Sequence, residues 1–364
     1  MGAHPSAPSA IAEIGTSLDI LIRQSPAALL GDRCKDHFGD GLPFLLKLLA
    51  AERPLSIQAH PDKNQAEDGW KRENAAAVPL DAASRNYRDD NHKPEILCAL
   101  TPFQALCGFR PVQEIRNLLD AFGASVLDTL NKTLNANDDR SALEAFLVSL
   151  HSLDRDRRRG LSEYALSAVE RLCKEAPASA PLWRLVARLA KLEGGDPTIV
   201  APLFLNYVEL APGEAVYLPA GVLHSYVGGF GVELMANSDN VLRGGLTKKH
   251  VDMDELLRVL RFEPHAPEVL KSAASDEDNL PYFGTPAAEF RLYEFAAKGE
   301  ESRKALPESV PSIVVVIDGE FSIEAGDGEG VAGIAKGQSV FVAASAPTPL
   351  IRGRGLAYVA SVPL

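Results

Sequence analysis

Apolar and polar positions along the chain fall into three textures. From about Leu42 to Phe109, short apolar runs are broken by dense Pro, Asn and Asp, the punctuation of loop-rich β structure. Beyond Phe109 the period lengthens. Val112, Ile115, Leu118, Leu119 and Phe122 recur at helical spacing, as do Leu143, Phe146, Leu147 and Leu150, and then Leu182, Leu185, Val186 and Leu189. This predicts a block of amphipathic helices, with the charged run 154–159 as a solvated connection. From Pro202 the β texture returns. Strands are predicted over 204–210 and 215–218, split by Pro212-Gly213, and a helix over about 254–261. Downstream, 313–317 reads as a buried strand closed by a turn at Asp318-Gly319, with further strands over 339–342 and 356–362. The order is therefore β, an inserted helical block, β resuming, and a second β unit of jelly-roll type.

Charge narrows the partners. Asp and Glu outnumber Lys and Arg by 49 to 37, a net charge of -12, which argues against nucleic acid or an anionic membrane surface. An anionic substrate would need a local basic cluster working against that mean field. No apolar run approaches the roughly 18 residues of a membrane span. The four cysteines (Cys34, Cys98, Cys107, Cys173) form no CxxC pair, so they are expected to be free thiols in a reducing cytoplasm.

Three segments carry candidate chemistry. In Ser56-Ile57-Gln58-Ala59-His60-Pro61 a strand would place Ser56, Gln58 and His60 on one face. Tyr87-Arg88-Asp89-Asp90-Asn91-His92-Lys93-Pro94-Glu95 packs His, Lys and Glu into four positions before an apolar run. The third segment has Gly213-x5-Pro219-x-Gly221-x2-His224, a strand ended by a turn with His224 opening the return.

This third spacing resembles the second motif of the cupin superfamily, in which that His binds a divalent metal inside a small β-barrel. Gly228 replaces the usual closing Asn, and Gln58-x-His60 replaces the usual His-x-His. Together with the complete Tyr-x-Asp-x-Asn-His-Lys-Pro-Glu of 87–95, these departures closely resemble the type I mannose-6-phosphate isomerase family. The block from His224 through Glu233, Met235-Ala236, Ser238-Asp239-Asn240 and Arg243 to Thr247 and Lys249 carries the same resemblance. Ser225, Gly244 and Lys248 stand where that family usually has Ala, Ala and Pro.

The resemblance implies a fold that is mainly β with an inserted α-helical domain: two cupin-like jelly-roll barrels or sandwiches plus a helical bundle. The expected division is a catalytic cupin domain over 1–110, a helical insert over 111–200, the rest of the catalytic domain over 201–262, and a cupin-like β domain without a metal site over 263–364. Gln58, His60, Glu95 and His224 are implied to hold one zinc ion per chain. The implied reaction interconverts mannose 6-phosphate and fructose 6-phosphate by moving a proton between adjacent carbons through an enediol. Arg243 cannot surrender its proton, so it is expected to stabilise the enediolate or the phosphate. The base is left among Lys93, Asp239 and His92. Ser56, Lys93, Arg243 and Lys249 are expected phosphate contacts, with Glu233 also facing substrate.

The expected partner is a small phosphosugar, with no nucleic acid and no membrane, on a cytoplasmic monomer or weak homodimer. His4, His37, His151, His250 and His265 are read as surface or locally bonded. Three competing readings stay open: an isomerase of another hexose phosphate or free sugar, a metal-bound dioxygenase, and a sugar-phosphate-binding cupin without turnover. Met1-Gly2-Ala3-His4-Pro5 matches the end of a segment that lies well inside the family's chains. The sequence is thus expected to be truncated at its start, with reduced stability or activity.

Overall fold

The structure, a computed structural model, describes residues 1–274, 279–326 and 331–364. Two short strands, β1 (Ala10–Ile11) and β2 (Thr16–Ser17), precede helices α1 (Leu18–Gln24), α2 (Pro26–Leu30) and α3 (Asp32–Phe38). The barrel starts with β3 (Phe44–Ala51), β4 (Ile57–Ala59), helix α4 (Lys63–Ala75), β5 (Glu95–Ala99) and β6 (Phe103–Phe109). Helices α5 (Val112–Phe122), α6 (Asp128–Thr133), α7 (Asp139–His151), α8 (Arg155–Glu175), α9 (Ala180–Leu192) and α10 (Ala201–Phe204) interrupt it. It resumes with β7 (Leu205–Leu210), β8 (Glu214–Leu218), β9 (His224–Ala236), β10 (Leu242–Gly245), helix α11 (Met253–Val259) and β11 (Val269–Lys271). The last unit comprises β12 (Arg291–Ala305), β13 (Ser312–Glu324), β14 (Val331–Ala335), β15 (Ser339–Val342) and β16 (Leu350–Ser361). The expected class, mainly β with an inserted helical region and a cupin-like barrel, is the one observed.

β9 is the shared stave of the first barrel. It pairs antiparallel with β3, β4, β5 and β6, while β10 extends β4 and β8 extends β5. Alternation along β5 shows how the layers divide. Glu95, Leu97 and Ala99 face the interior, where Leu97 and Ala99 meet Phe103, Val216, Leu218 and Tyr226. Ile96 and Cys98 face outward onto Leu292, Ile313, Val315 and Tyr358 of the C-terminal unit. The opposite outer face, through Ile57, Leu106 and Leu242, packs against the helical block around Phe122, Phe146 and Trp183. Each such fully buried side chain contributes roughly 1.5–3 kcal/mol.

The structure corrects several expectations. Residues 155–159 are not a connection: Asp154 caps α8 by accepting from the Arg157 N–H at 2.9 Å, and the arginines form the first turns of that helix. Asp318-Gly319 is not a turn. β13 runs through it with a bulge between Val316 and Asp318, absorbed by Gly319 at φ 81. The strand predicted over 356–362 starts earlier, at Leu350, and lies between β12 and β13, pairing with both. Helix α4 lies inside a stretch read as loop-rich β. Its sequence is almost wholly polar, so no apolar period betrays it, yet Asp62 and Gln65 close a reciprocal capping box at its start. Among the described residues, no helix is long and apolar enough to cross a membrane.

Helix α4 also braces the 87–95 segment. The Tyr87 ring lies on Gly69, where a Cβ would stand 2.3 Å from ring carbons, and the Tyr87 hydroxyl donates to Glu255 of α11 at 2.7 Å. Replacing Gly69 with Ala forces the ring or the helix to move. The expected outcome is a loss of about 1–3 kcal/mol in urea unfolding at neutral pH. Wild-type stability would refute this packing.

Candidate metal centre

β4, β9 and β10 place three candidate residues in a row. Gln58 is directly opposite Arg243 on one side and His224 on the other, so their side chains share a face of the sheet. His60 follows β4 and is pinned as the chain turns into the capped α4. Its Nδ1 lies 2.7 Å from the Asn240 carbonyl oxygen. His224 opens β9 with Nδ1 at 2.9 Å from the Val222 carbonyl oxygen. Each Nδ1–H therefore donates to a carbonyl, which fixes the tautomer and presents Nε2 to the interior. Glu95, at the mouth of β5, meets both rings: Oε1 is 3.3 Å from His60 Nε2 and Oε2 is 3.6 Å from His224 Nε2.

The ligand atoms of His60, Glu95 and His224 all lie within 4.8 Å of one another, and all three side chains are buried. His224 Nε2 is fully enclosed and has no hydrogen-bond partner. An orphaned imidazole nitrogen beside a second one and a carboxylate is a donor set that fits a divalent ion.

Electrostatics supports the same reading. Glu95 is 1% exposed, and burial alone would raise its pKa. Lys93, His60 and His224 outweigh that and hold the carboxyl well below its ordinary range. The Lys93 ammonium sits directly on Glu95 Oε1 and 3.3 Å from His60 Nε2. Burial, and then Lys93, lower the His60 pKa from 6.5 to about 4, so its ring is neutral and free to ligate. Farther along β9, Glu233 faces the same interior and is paired with Lys47 at 3.1 Å. Burial and the Glu95 charge raise its pKa. The Tyr226 hydroxyl lies 3.5 Å from Glu95 Oε2, and burial raises its pKa well above the ordinary value.

The remaining candidates are distributed around this core. Asp239 is 42% exposed. Its carboxylate pairs with His4 Nε2 at 3.3 Å, and its N–H donates to Asp89 Oδ2 at 2.8 Å. His92 turns its Nε2 to Glu289 of the C-terminal unit. Arg243 is half-buried; burial first, then the neighbouring Arg88, lowers its pKa. Ser56 is half-buried just before β4, and Lys249 is exposed beyond β10 with its N–H on Thr247 Oγ1 at 3.1 Å. Of the two alternatives expected for His4, surface or locally bonded, the second holds. The residue is buried, accepts locally from the Ser6 N–H, and so directs its Nε2–H at Asp239.

Asn240, Asp89, Lys47 and Tyr226 went unassigned in the sequence. Asn240 holds His60 by its carbonyl. Its amide donates to the Asp89 and Asn91 carbonyl oxygens at 2.9 and 2.8 Å, and its Oδ1 accepts from the Arg88 N–H at 2.7 Å. The motifs around 89 and 240 were visible, but this mutual locking was not.

Known proteins resemble the chain along its whole length. Residues 1–112 match the family model "Phosphomannose isomerase type I, catalytic domain". A mannose-6-phosphate isomerase from Escherichia coli (strain K12) is 34% identical over 98% of this chain and 88% of that protein. The chain belongs to the mannose-6-phosphate isomerase family. The Homo sapiens mannose-6-phosphate isomerase is 34% identical over 88% of this chain and 77% of its own. A site-directed variant of phosphomannose isomerase from Salmonella typhimurium superposes with a TM-score of 0.88 at 33% identity, covering 100% of this chain and 90% of that one. A zinc-bound mannose 6-phosphate isomerase structure gives 0.86 at 33% identity with the same coverage. The matched segment includes His60 and Glu95, whereas His224 lies beyond it and reaches them through β9.

The His60 shift has a consequence for this family member's stability. Between pH 6.5 and about 4 the unfolded chain binds a proton at His60 that the folded chain refuses. Stability of the metal-stripped protein should therefore fall as pH drops through that window. Urea midpoints measured across it should decline in wild type and decline less in His60→Gln; parallel curves would contradict the assignment.

Proposed function

We propose that this chain is a zinc-dependent isomerase that interconverts mannose 6-phosphate and fructose 6-phosphate through an enediol. The observation that carries the reading is the unpaired His224 Nε2 buried against His60 and Glu95, in a chain whose relatives bear that enzyme's name. Gln58, His60, Glu95 and His224 would hold the ion. When bound, zinc supplies a Lewis acid for the sugar oxygens.

The chain's own residues account for the rest. Arg243, desolvated beside Arg88, provides fixed positive charge for an enediolate or phosphate in a protein of net charge -12. We assign Lys249 and Ser56 to the phosphate as well. Of the candidate bases, His92 is committed to Glu289, and Asp239 stands at the rim under the control of His4 and Asp89. Lys93 is nearest the candidate ligands, with its Nζ on Glu95 Oε1 and 3.3 Å from His60 Nε2. We assign it the carbon-bound proton. Glu233, paired with Lys47, shares the inward face of the barrel with Glu95, and we assign it to the substrate side. The four free thiols suit a reducing cytoplasm, and the site calls for a phosphosugar and no macromolecule.

Purified protein should carry one zinc per chain by mass spectrometry, and His224→Ala should lose most of it. Chelation should abolish isomerisation and added zinc should restore it; a zinc-free, fully active enzyme would sink the reading. Arg243→Ala should lower turnover by about 100-fold or more in both directions with zinc retained. Lys93→Met should likewise keep zinc and lose about 100- to 10,000-fold in turnover. Unchanged rates in either variant remove that residue from the mechanism.

A further inference from the structure

The helical insert meets the segment that carries Arg243 and Lys249 through Asp196 and Thr198, beside a contact of His151 with the Gly244 backbone. β10 is an edge strand on β4, with a bulge between Arg243 and Gly245. The next residue, Leu246, is buried and adopts φ 49, a left-handed conformation disfavoured for a branched side chain. A conformation of that kind persists only where its surroundings over-determine it.

Two residues do so. Leu246 N–H donates to Thr198 Oγ1 at 3.0 Å, and the Thr198 hydroxyl in turn donates to Asp196 Oδ1 at 2.6 Å. Asp196 Oδ1 also accepts from the Thr198 N–H at 2.8 Å, and its Oδ2 accepts from the Thr247 N–H at 3.3 Å. The single hydroxyl proton goes to the carboxylate, so a lone pair is left facing Leu246. Thr198 is wholly buried. The fit is close enough that a Cβ on Gly245 (φ 143) would lie 2.1 Å from Thr198 Oγ1. The clamp therefore grips consecutive amides between Arg243, which stays in register with Gln58, and Lys249.

We propose that Asp196 and Thr198 are positioning residues for the substrate-holding segment 243–249, a role that rests on the phosphosugar reading of Arg243 and Lys249. They act by holding the Leu246 peptide, and thereby set where the two cations stand relative to Gln58 and His224.

The test compares Thr198→Val, which keeps the shape and removes the acceptor, with Thr198→Ser, which keeps the hydroxyl, in the full zinc-loaded chain. Thr198→Val should lower kcat/KM for mannose 6-phosphate about 10- to 100-fold, chiefly through KM, with zinc content unchanged. It should also speed hydrogen exchange at the 246–247 amides, and Thr198→Ser should restore both. Faster exchange with kcat/KM unchanged overturns the proposal, as does equal loss in the Ser and Val variants. If Thr198→Val does not fold, Asp196→Asn supplies the same comparison, with slower release of the 246–247 amides and unchanged KM counting against it. A wild-type chain without turnover defeats the isomerase reading instead, a result distinct from any difference between variants.

Discussion

A carboxylate shut away from water at the end of an apolar strand is the constraint around which this barrel is arranged. Glu95 shares its inward face with Leu97 and Ala99, and an isolated charge there would cost several kcal/mol. The fold offsets that cost by bringing Lys93 onto the carboxylate and two imidazoles against it. The compensation is incomplete, because one imidazole nitrogen is left with nothing to bond. The low dielectric that makes the cluster costly also makes a bound cation strongly held. Burial, the neutral His60 and the orphaned His224 nitrogen are facets of one arrangement.

Everything beyond the ligands serves to keep that arrangement from relaxing. Carbonyls of Val222 and Asn240 aim the rings, and Asn240 is itself gripped by the backbone of the 87–95 segment. That segment rests on α4 and α11 through Tyr87 and Glu255. The C-terminal unit contributes Glu289 to His92, and the helical insert contributes Thr198 to the segment beyond Arg243. Two blocks distant in sequence thus each give a polar group to segments that adjoin the candidate site.

The division between what the sequence revealed and what it hid follows the physics of each residue. The spacing that ends in His224 and the complete 87–95 run stood out, and their resemblance to a known family, not the Gln58-x-His60 pair by itself, implied Gln58, His60, Glu95 and His224 as ligands. Asn240 did not stand out, because its main service to His60 is performed by a backbone carbonyl that every residue possesses. Lys47 resembles any strand lysine until β3 is laid beside β9. Three helices of the insert, α5, α7 and α9, were legible from their apolar stripes, whereas α4 was invisible because its polar sequence carries no apolar period and it is braced by a capping box and by Tyr87 lying on Gly69. The arginine run misled for the opposite reason: its charge suggested solvent, and exposed helical turns satisfy that equally well.

The role of β9 as shared stave has a consequence in time. His60 and Glu95 are synthesised well before His224, with the helical insert made in between, and Gln58 finds Arg243 only across the same gap. Contacts of such long sequence separation form late, after the local helices have had every chance to fold. A nascent chain on the ribosome can therefore fold its insert while the candidate ligands Gln58, His60 and Glu95 still lack His224. His224 stands beside His60 and Glu95 only through the pairings of β9, so the strand that completes the barrel also assembles the candidate metal site.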